Sequence, residues 1–435
     1  MASHGAASAK AAEEGKALLG ELRAQQKAEA LRVEGKGPGA GAEEEMDPRI
    51  RLISINALFS NMSGSHIFPL LPSFARESGI SASALGVILS APGFSRIFVN
   101  VPCTVCADTL GRRPVFLASC AMLVAGSVFM AVMHDQYSLF LGCCLTGLGY
   151  GANTVAGLLS IADLTTPATR GKALGPIMTA VNFSRGIGPA LAGAAGEFLG
   201  FEAAMWAFAA VFAAPLAILW FFFYEPLAQP KPVPTAASLA ADYKAAMNQD
   251  VALCMLNQFM LSVVLGGGVY ATLPSFCGGL FEDMRGAGAL GMVFAALAIG
   301  QSVVSYPAGW LGDKFGRKGP LVGCDLAMAL SLFALSLCTT KAAVFTVLVP
   351  ADVGMGMSMA ILNAYVTDVC PKGTASKALS WLTFSRDFGF FVGPMTAGAL
   401  TQASSAAMAF QAIGLLALFV TIISAFFLNN TVVKK

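Results

Sequence analysis

The sequence predicts an all-α membrane protein, with twelve transmembrane helices arranged as two pseudo-symmetric six-helix bundles. Three observations lead there. Hydrophobic residues make up 56% of the 435 and charged residues 12%, with a mean hydropathy of +0.68, outside the balance of a soluble globular chain. The apolar residues gather into stretches of about 20, each long enough to cross ~30 Å of hydrocarbon at ~1.5 Å per residue. The chain also repeats itself: Asp108 and Asp313 are 313 − 108 = 205 positions apart, and the same offset relates Gly111 to Gly316, Gly86 to Gly291, Asp163 to Asp368 and Gly188-Pro189 to Gly393-Pro394. An offset shared by so many landmarks marks a duplicated half.

Taken in order, residues 1–48 are rich in Ala, Gly, Glu and Lys and read as a cytosolic tail, disordered or loosely helical, with no apolar leader. Six spans follow within 49–223, near 50–74, 83–106, 115–133, 137–162, 173–196 and 203–223. Residues 224–250 are polar and carry Pro226, Pro230, Pro232 and Pro234, which suits a linker between bundles. The second bundle, 251–428, has spans near 251–276, 287–311, 320–339, 342–368, 378–400 and 406–428, and 429–435 form a short second tail.

Basic residues set the expected orientation. Arg112, Arg113, Arg170, Lys172, Lys231, Lys244, Lys314, Arg317, Lys318, Lys372 and Lys377 fall on one side with Arg49, Arg51, Lys434 and Lys435, against Arg76, Arg285 and Lys341 on the other. By the positive-inside rule both termini are cytoplasmic, though the host membrane stays open. A formal net charge of +2, spread over short loops, excludes a nucleic-acid surface. The ten cysteines are scattered through apolar segments, and Cys103 and Cys106 have no second pair nearby, so no disulfide framework, metal site or cofactor is expected. No Gly-rich phosphate loop or triad points to an enzyme.

The stretch Asp108-Thr109-Leu110-Gly111-Arg112-Arg113, with its copy Asp313-Lys314-Phe315-Gly316-Arg317-Lys318, follows the second and eighth spans. This D-x-x-G-R-[RK] pair on a six-plus-six repeat resembles the major facilitator superfamily over residues 50–430. The resemblance implies that family's fold, secondary transport by alternating access, a small-molecule solute bound between the halves, protons as a candidate coupling ion, and a monomer in the bilayer. It implies a gating role for Asp108, Gly111, Arg112, Arg113, Gly309, Asp313, Gly316, Arg317 and Lys318. The first copy has Thr104 where the second keeps Gly309, so the second copy reads as the better latch. Gly175, Gly188, Pro189 and Gly193 of the fifth span resemble the antiporter motif of the drug:proton branch, with Ser184 at a position usually glycine, and Gly389, Gly393, Pro394 and Gly398 repeat it. Small residues and proline there suggest a hinge. Cys143 stands where that branch usually places an arginine, which makes a drug or metabolite:proton antiporter the alternative rather than the leading expectation, with a non-transporting sensor of the same fold as a further one.

Three spans carry Phe-Ser-Arg, ending in Arg96, Arg185 and Arg386. Arg96 lies twelve residues before Asp108, about 18 Å deeper along a helix. A central arginine is expensive in lipid and should face protein or a polar cavity. A guanidinium fork suits carboxylate or phosphate, so Arg96, Arg185 and Arg386 favour an anionic or amphipathic solute unless protein acids neutralise them. Asp387, which could meet Arg96 across the halves, Asn61 and Gln301, the repeat position of Arg96, complete the expected cavity. His66 is the expected proton carrier, with Asp387 and Asp352 as others. Asn182 is a weaker candidate. Asp163 and Asp368 are expected to pair with Arg170, Lys172 or Lys377 as gate elements.

Overall fold

A computed structural model describes residues 47–430 except 167–168, 228 and 230–234. The tails 1–46 and 431–435, and with them Lys434 and Lys435, lie outside the described residues, as do Lys231 and the prolines at 230, 232 and 234.

The first span is two helices, α1 (Pro48–Met62) and α2 (Ile67–Glu77). The second to fourth are α3 (Ala82–Leu110), α4 (Arg112–Val132) and α5 (Gln136–Leu164). α6 (Arg170–Phe222) is the fifth and sixth spans joined end to end at Gly200, whose φ of 81° only glycine adopts readily. The linker, expected to be irregular, contains α7 (Ala236–Ala245), capped by the Thr235 hydroxyl. The seventh span runs through α8 (Gln249–Val263), a π-helical stretch (Val264–Thr272) and α9 (Leu273–Leu280). The eighth to twelfth are α10 (Ala287–Phe315), α11 (Lys318–Leu335), α12 (Lys341–Val369), α13 (Ala375–Ala403) and α14 (Ala406–Phe427).

Among the described residues nine helices are long and apolar enough to span a membrane by composition alone. One of these is the doubled α6. The other two spans escape that criterion because the first is broken and the eleventh carries Lys377, Arg386 and Asp387.

The first and seventh spans are interrupted at repeat-related places, since Ser63 and Gly268 are 268 − 63 = 205 apart. The Ser63 and Ser65 hydroxyls bond back to the Ser60 and Met62 carbonyls, and three consecutive glycines, 266–268, weaken the seventh. Both are recognised ways to disturb a helix. Each interruption is packed by the Gly-Pro pair of a neighbour. A methyl group on Gly188 would sit 2.7 Å from Ser65 Oγ, and one on Gly393 2.9 Å from Val263 Cα.

The bundles touch on the face opposite the basic loops. The second span crosses the eleventh at Gly86 and Gly398, and the eighth crosses the fifth at Gly291 and Gly193, which are the repeat images of each other. A methyl group on Gly193 would approach Gly291 Cα to 2.8 Å, and one on Gly398 would approach Gly86 Cα to 2.9 Å. Beside the crossings, Gln402 Oε1 accepts the Ser83 N–H at 2.9 Å and Glu197 Oε2 accepts the Gly288 N–H at 3.3 Å, again at equivalent positions. Arg76 donates to the Pro274 and Arg285 carbonyls. The hydrogen bonds and the ion pair that join the two bundles here lie on this face or at mid-depth, the deepest joining Asn100 to Asp387. The molecule is closed on the face opposite the basic loops.

On the basic face the two D-x-x-G-R-[RK] copies fold alike. Gly111 and Gly316 take φ of 108° and 82°. Arg112 contacts Asp108 at 2.8 Å and donates from Nε to Asp163 at 2.8 Å; Arg317 repeats this with Asp313 at 2.7 Å and Asp368 at 3.1 Å. Asp368 is therefore held by Arg317 rather than Lys377, which pairs with Asp242. The aspartates bind arginines of their own bundle because the motif turn drops the guanidinium between two spans. The first copy is the more buried of the two: Arg112 is fully buried, whereas Arg317 keeps 12% of its side chain exposed. Glu225, at the start of the linker, adds to the first copy by accepting the Arg112 and Arg113 N–H groups at 2.8 and 2.9 Å, space that any side chain at Gly111 would fill. Arg113 also donates to the Trp220 carbonyl at 2.6 Å. Lys318 opens the ninth span, half-buried. A methyl group at Gly309 would meet nothing within 4 Å, so no close approach requires glycine there.

Because Glu225 caps the orphan amides of the third span, Glu225→Ala is expected to lower stability by about 0.5–2 kcal/mol. Thermal melting of the purified protein in detergent measures this, and an unchanged melting point would show the cap to be dispensable.

Candidate functional site between the bundles

Two polar clusters bridge the halves at mid-depth. In the first, Gly93 lets the second span approach the eleventh so closely that a methyl group there would sit 2.6 Å from the Phe391 amide nitrogen. This brings Arg96 Nε to 3.1 Å from Asp387 Oδ1, and Asn100, one turn on from Arg96, donates to Asp387 Oδ2 at 3.1 Å. Arg386 reaches the same Oδ1 at 3.5 Å and keeps 37% of its side chain exposed. Asp387 itself is 1% exposed. The Arg96 guanidinium lies over the rings of Tyr150 and Phe390, 5.5 and 5.3 Å from their centroids, a cation–π sandwich. Tyr150 Oη in turn donates to Asn61 Oδ1 at 3.2 Å.

In the second cluster Arg185 of the fifth span donates to Gln301 Oε1 at 3.1 Å, and Gln301 Nε2 donates to Asp352 Oδ1 of the tenth at 2.8 Å. An aromatic layer joins the clusters. Phe68 stacks on Tyr270 with centroids 3.8 Å apart, and Tyr270 faces Phe390 and Phe294. A cavity of about 380 Å³, counted with the solvent space at its mouth, is lined by Phe68, Arg96, Tyr150 and Phe390.

Six of the seven cavity residues named from the sequence thus converge: Arg96, Arg386, Asp387 and Asn61 at one end, Arg185 and Gln301 at the other. His66 is not among them. It is fully buried inside its own bundle, Nδ1 3.2 Å from the Ser63 carbonyl oxygen and its ring against Phe208 and Phe212 of the sixth span. The four-residue interruption of the first span turns it there. Asn182, the weaker candidate, is exposed. Sequence reasoning passed over Asn100, Tyr150, Tyr270 and Phe390. Asn100 carried a signal, as the next polar residue on the Arg96 face, and so did Phe390, which is the repeat image of Arg185 (390 − 185 = 205). Among the described residues no grouping of His, Cys, Asp and Glu could hold a metal ion.

The electrostatics are unbalanced. Three arginines face two aspartates, leaving one positive charge in surplus where charge is costly to bury. Arg96, 9% exposed, touches Asp387 by charge, yet its Nε–H finds no aligned hydrogen-bond acceptor.

Two like bundles, discontinuous spans at their centre and a polar site between them define a helical membrane protein built for solute passage rather than for catalysis. The Major Facilitator Superfamily profile matches residues 53–284 and 280–435, and the chain belongs to that family, whose members here are transporters rather than enzymes. It is therefore an integral, multi-pass membrane protein.

The chain is 25% identical over 309 residues to Citrate exporter 1 of Yarrowia lipolytica, covering 68% of this chain and 42% of that protein. It is 28% identical over 207 residues to the MFS-type transporter clz9 of Cochliobolus lunatus, covering 45% of this chain and 22% of that protein. It thus spans less than half the length of either relative. A tetracycline resistance protein, class D, of Salmonella ordonez is 26% identical over 313 residues, covering 69% of this chain and 76% of that protein. Among solved structures, the nucleoside transporter NupG superposes with a TM-score of 0.70 at 14% identity over 87% of this chain and 98% of that one. The human organic anion transporter MFSD10 gives 0.60 at 16% over 86% and 98%, and a D-xylose-proton symporter 0.70 at 15% over 88% and 98%. These likenesses show the fold.

Proposed function

We propose that the protein is a secondary active transporter that carries a small organic anion through the centre of the two bundles by alternating access, in the state open toward the basic face. The positive-inside rule supports placing that face in the cytosol, with both termini beside it. The observation that carries the reading is the cationic surplus of Arg96, Arg185 and Arg386 over Asp387 and Asp352 in a half-buried site. A carboxylate solute would satisfy that surplus and the unaligned Arg96 Nε–H together. The names of the citrate exporter and of the organic anion transporter are in keeping with it. In this reading the glycine crossings form the outer gate, Gly188-Pro189 and Gly393-Pro394 the hinges, and the Arg112 and Arg317 clusters stiffen the ends that part. A drug or metabolite:proton antiporter is the alternative, favoured by the tetracycline relative; it would need a site whose net charge welcomes cations.

Radiolabelled citrate uptake into proteoliposomes tests the reading. Arg185→Gln and Arg386→Gln should each lower it roughly 10- to 150-fold, the loss of one charge-assisted hydrogen bond of ~1.5–3 kcal/mol. Uptake untouched by both substitutions would sink the anion reading.

A further inference from the structure

Two carboxylates lie between the bundles, and their surroundings differ. Asp387 is in contact with two guanidinium groups and accepts from Asn100, so both of its oxygens are already engaged by protein donors. Asp352 is 6% exposed and accepts from the neutral amide of Gln301, and among the described residues no Lys, Arg or His nitrogen lies within ion-pair distance of it. The charged and titratable groups around it are Arg185, beyond Gln301, and Tyr270 of the seventh span. Val264, Val269, Leu335 and Phe410 make its remaining wall apolar. Asp325 of the ninth span is turned to Ser358, six residues or about 9 Å along the tenth span, and does not reach the site between the bundles.

We propose that Asp352 takes up the coupled proton and that Gln301 transmits this to Arg185, so that proton and organic anion load together. This rests on the organic-anion reading above. A carboxamide has one donor end and one acceptor end. While Asp352 is ionised, the Gln301 amino end must face it, which leaves the carbonyl end holding Arg185. Protonation forms an O–H bond on Asp352 and turns it into a donor. The amide answers by turning over, so its carbonyl accepts from Asp352 and its amino end meets Arg185. Two donors cannot bond, and the half-buried guanidinium is released to a carboxylate. The cationic surplus rises from one to two in the same step. Each ligand thus favours the other, by reciprocity of linkage each raises the other's affinity by the same factor, and the doubly loaded site is favoured, which is the arrangement for symport of one proton with the anion. Nothing is oxidised or reduced, and the proton departs when the anion does.

Proteoliposomes with radiolabelled citrate as probe separate the possibilities. Wild type should accumulate citrate down an imposed proton gradient and should also exchange internal for external citrate at equal pH. In Asp352→Asn the ratio of gradient-driven accumulation to exchange should fall at least about tenfold, and in Asp352→Glu that ratio should stay as in wild type. An unchanged ratio in Asp352→Asn, or wild-type citrate movement opposite to the proton, overturns the proposal. Should Asp352→Asn fail to fold, dicyclohexylcarbodiimide, which couples to protonated carboxyls in apolar surroundings, decides on the wild type. Peptide mass spectrometry should find the adduct on Asp352; an adduct on Asp387 in its place, or on neither, overturns the assignment. That labelling needs no solute, so wild type that neither exchanges nor accumulates citrate would count against the carboxylate reading alone.

Discussion

Gly193→Leu is expected to prevent closure on the face opposite the basic loops and to abolish transport. The fifth and eighth spans cross there with their backbones in contact, and even a methyl group at Gly193 would stand 2.8 Å from Gly291 Cα and 2.5 Å from the Ala287 carbonyl oxygen. Backbone cannot swing aside as a side chain does. Overpacking costs ~1–3 kcal/mol where the structure can give, or roughly 5- to 150-fold in the balance between closed and open states, and more where it cannot. The penalty falls on one conformer only, so the protein should fold and accumulate open on this face. Spin labels at Ser78 and Gly279, on neighbouring ends of the first and seventh spans, should move apart in the variant. An unchanged distance would show that the crossing does not set the gate. Gly398→Leu, the repeat image, should behave the same way.

The second large effect is expected at Asp387. Asp387→Asn leaves Arg96 buried without its counter-charge, a change of ~3–5 kcal/mol when one partner of a buried pair is removed. Transport should fall at least about 100-fold, and stability should fall with it. The double variant Arg96→Gln/Asp387→Asn removes both charges and should regain stability but not transport, because the fork of donors over Tyr150 and Phe390 is gone. Melting and uptake measured on the same samples separate the two effects. Full recovery of uptake in the double variant would mean that the pair is purely structural.

Much of this arrangement was legible beforehand, for identifiable reasons. Spans follow from apolar length, and the repeat follows from landmarks such as Asp108 and Asp313 that a single offset relates. The convergence of Arg96, Arg185 and Arg386 could be anticipated because charge in lipid has few places to go. His66 was named for its proton chemistry, which says nothing of direction; the chain leaves the helix between Met62 and Ile67, and there the ring turns into its own bundle. The join of the fifth and sixth spans at Gly200, and the helix inside the linker, depend on local backbone geometry that apolar runs do not encode. The ranking of Asp313 above Asp108 could not take account of Glu225, more than a hundred residues away in sequence, which completes the first cluster. Such a contact is visible only once the chain is folded.

Glu197 and Gln402 occupy one position in the two repeats and grip the same point on the partner bundle, yet one is anionic and the other neutral. The duplication has therefore kept the shape of its two seams and changed their chemistry. One flank of the closed face is held by a charge-assisted hydrogen bond and the other by a neutral one, so the two flanks of one symmetric closure are not fastened alike.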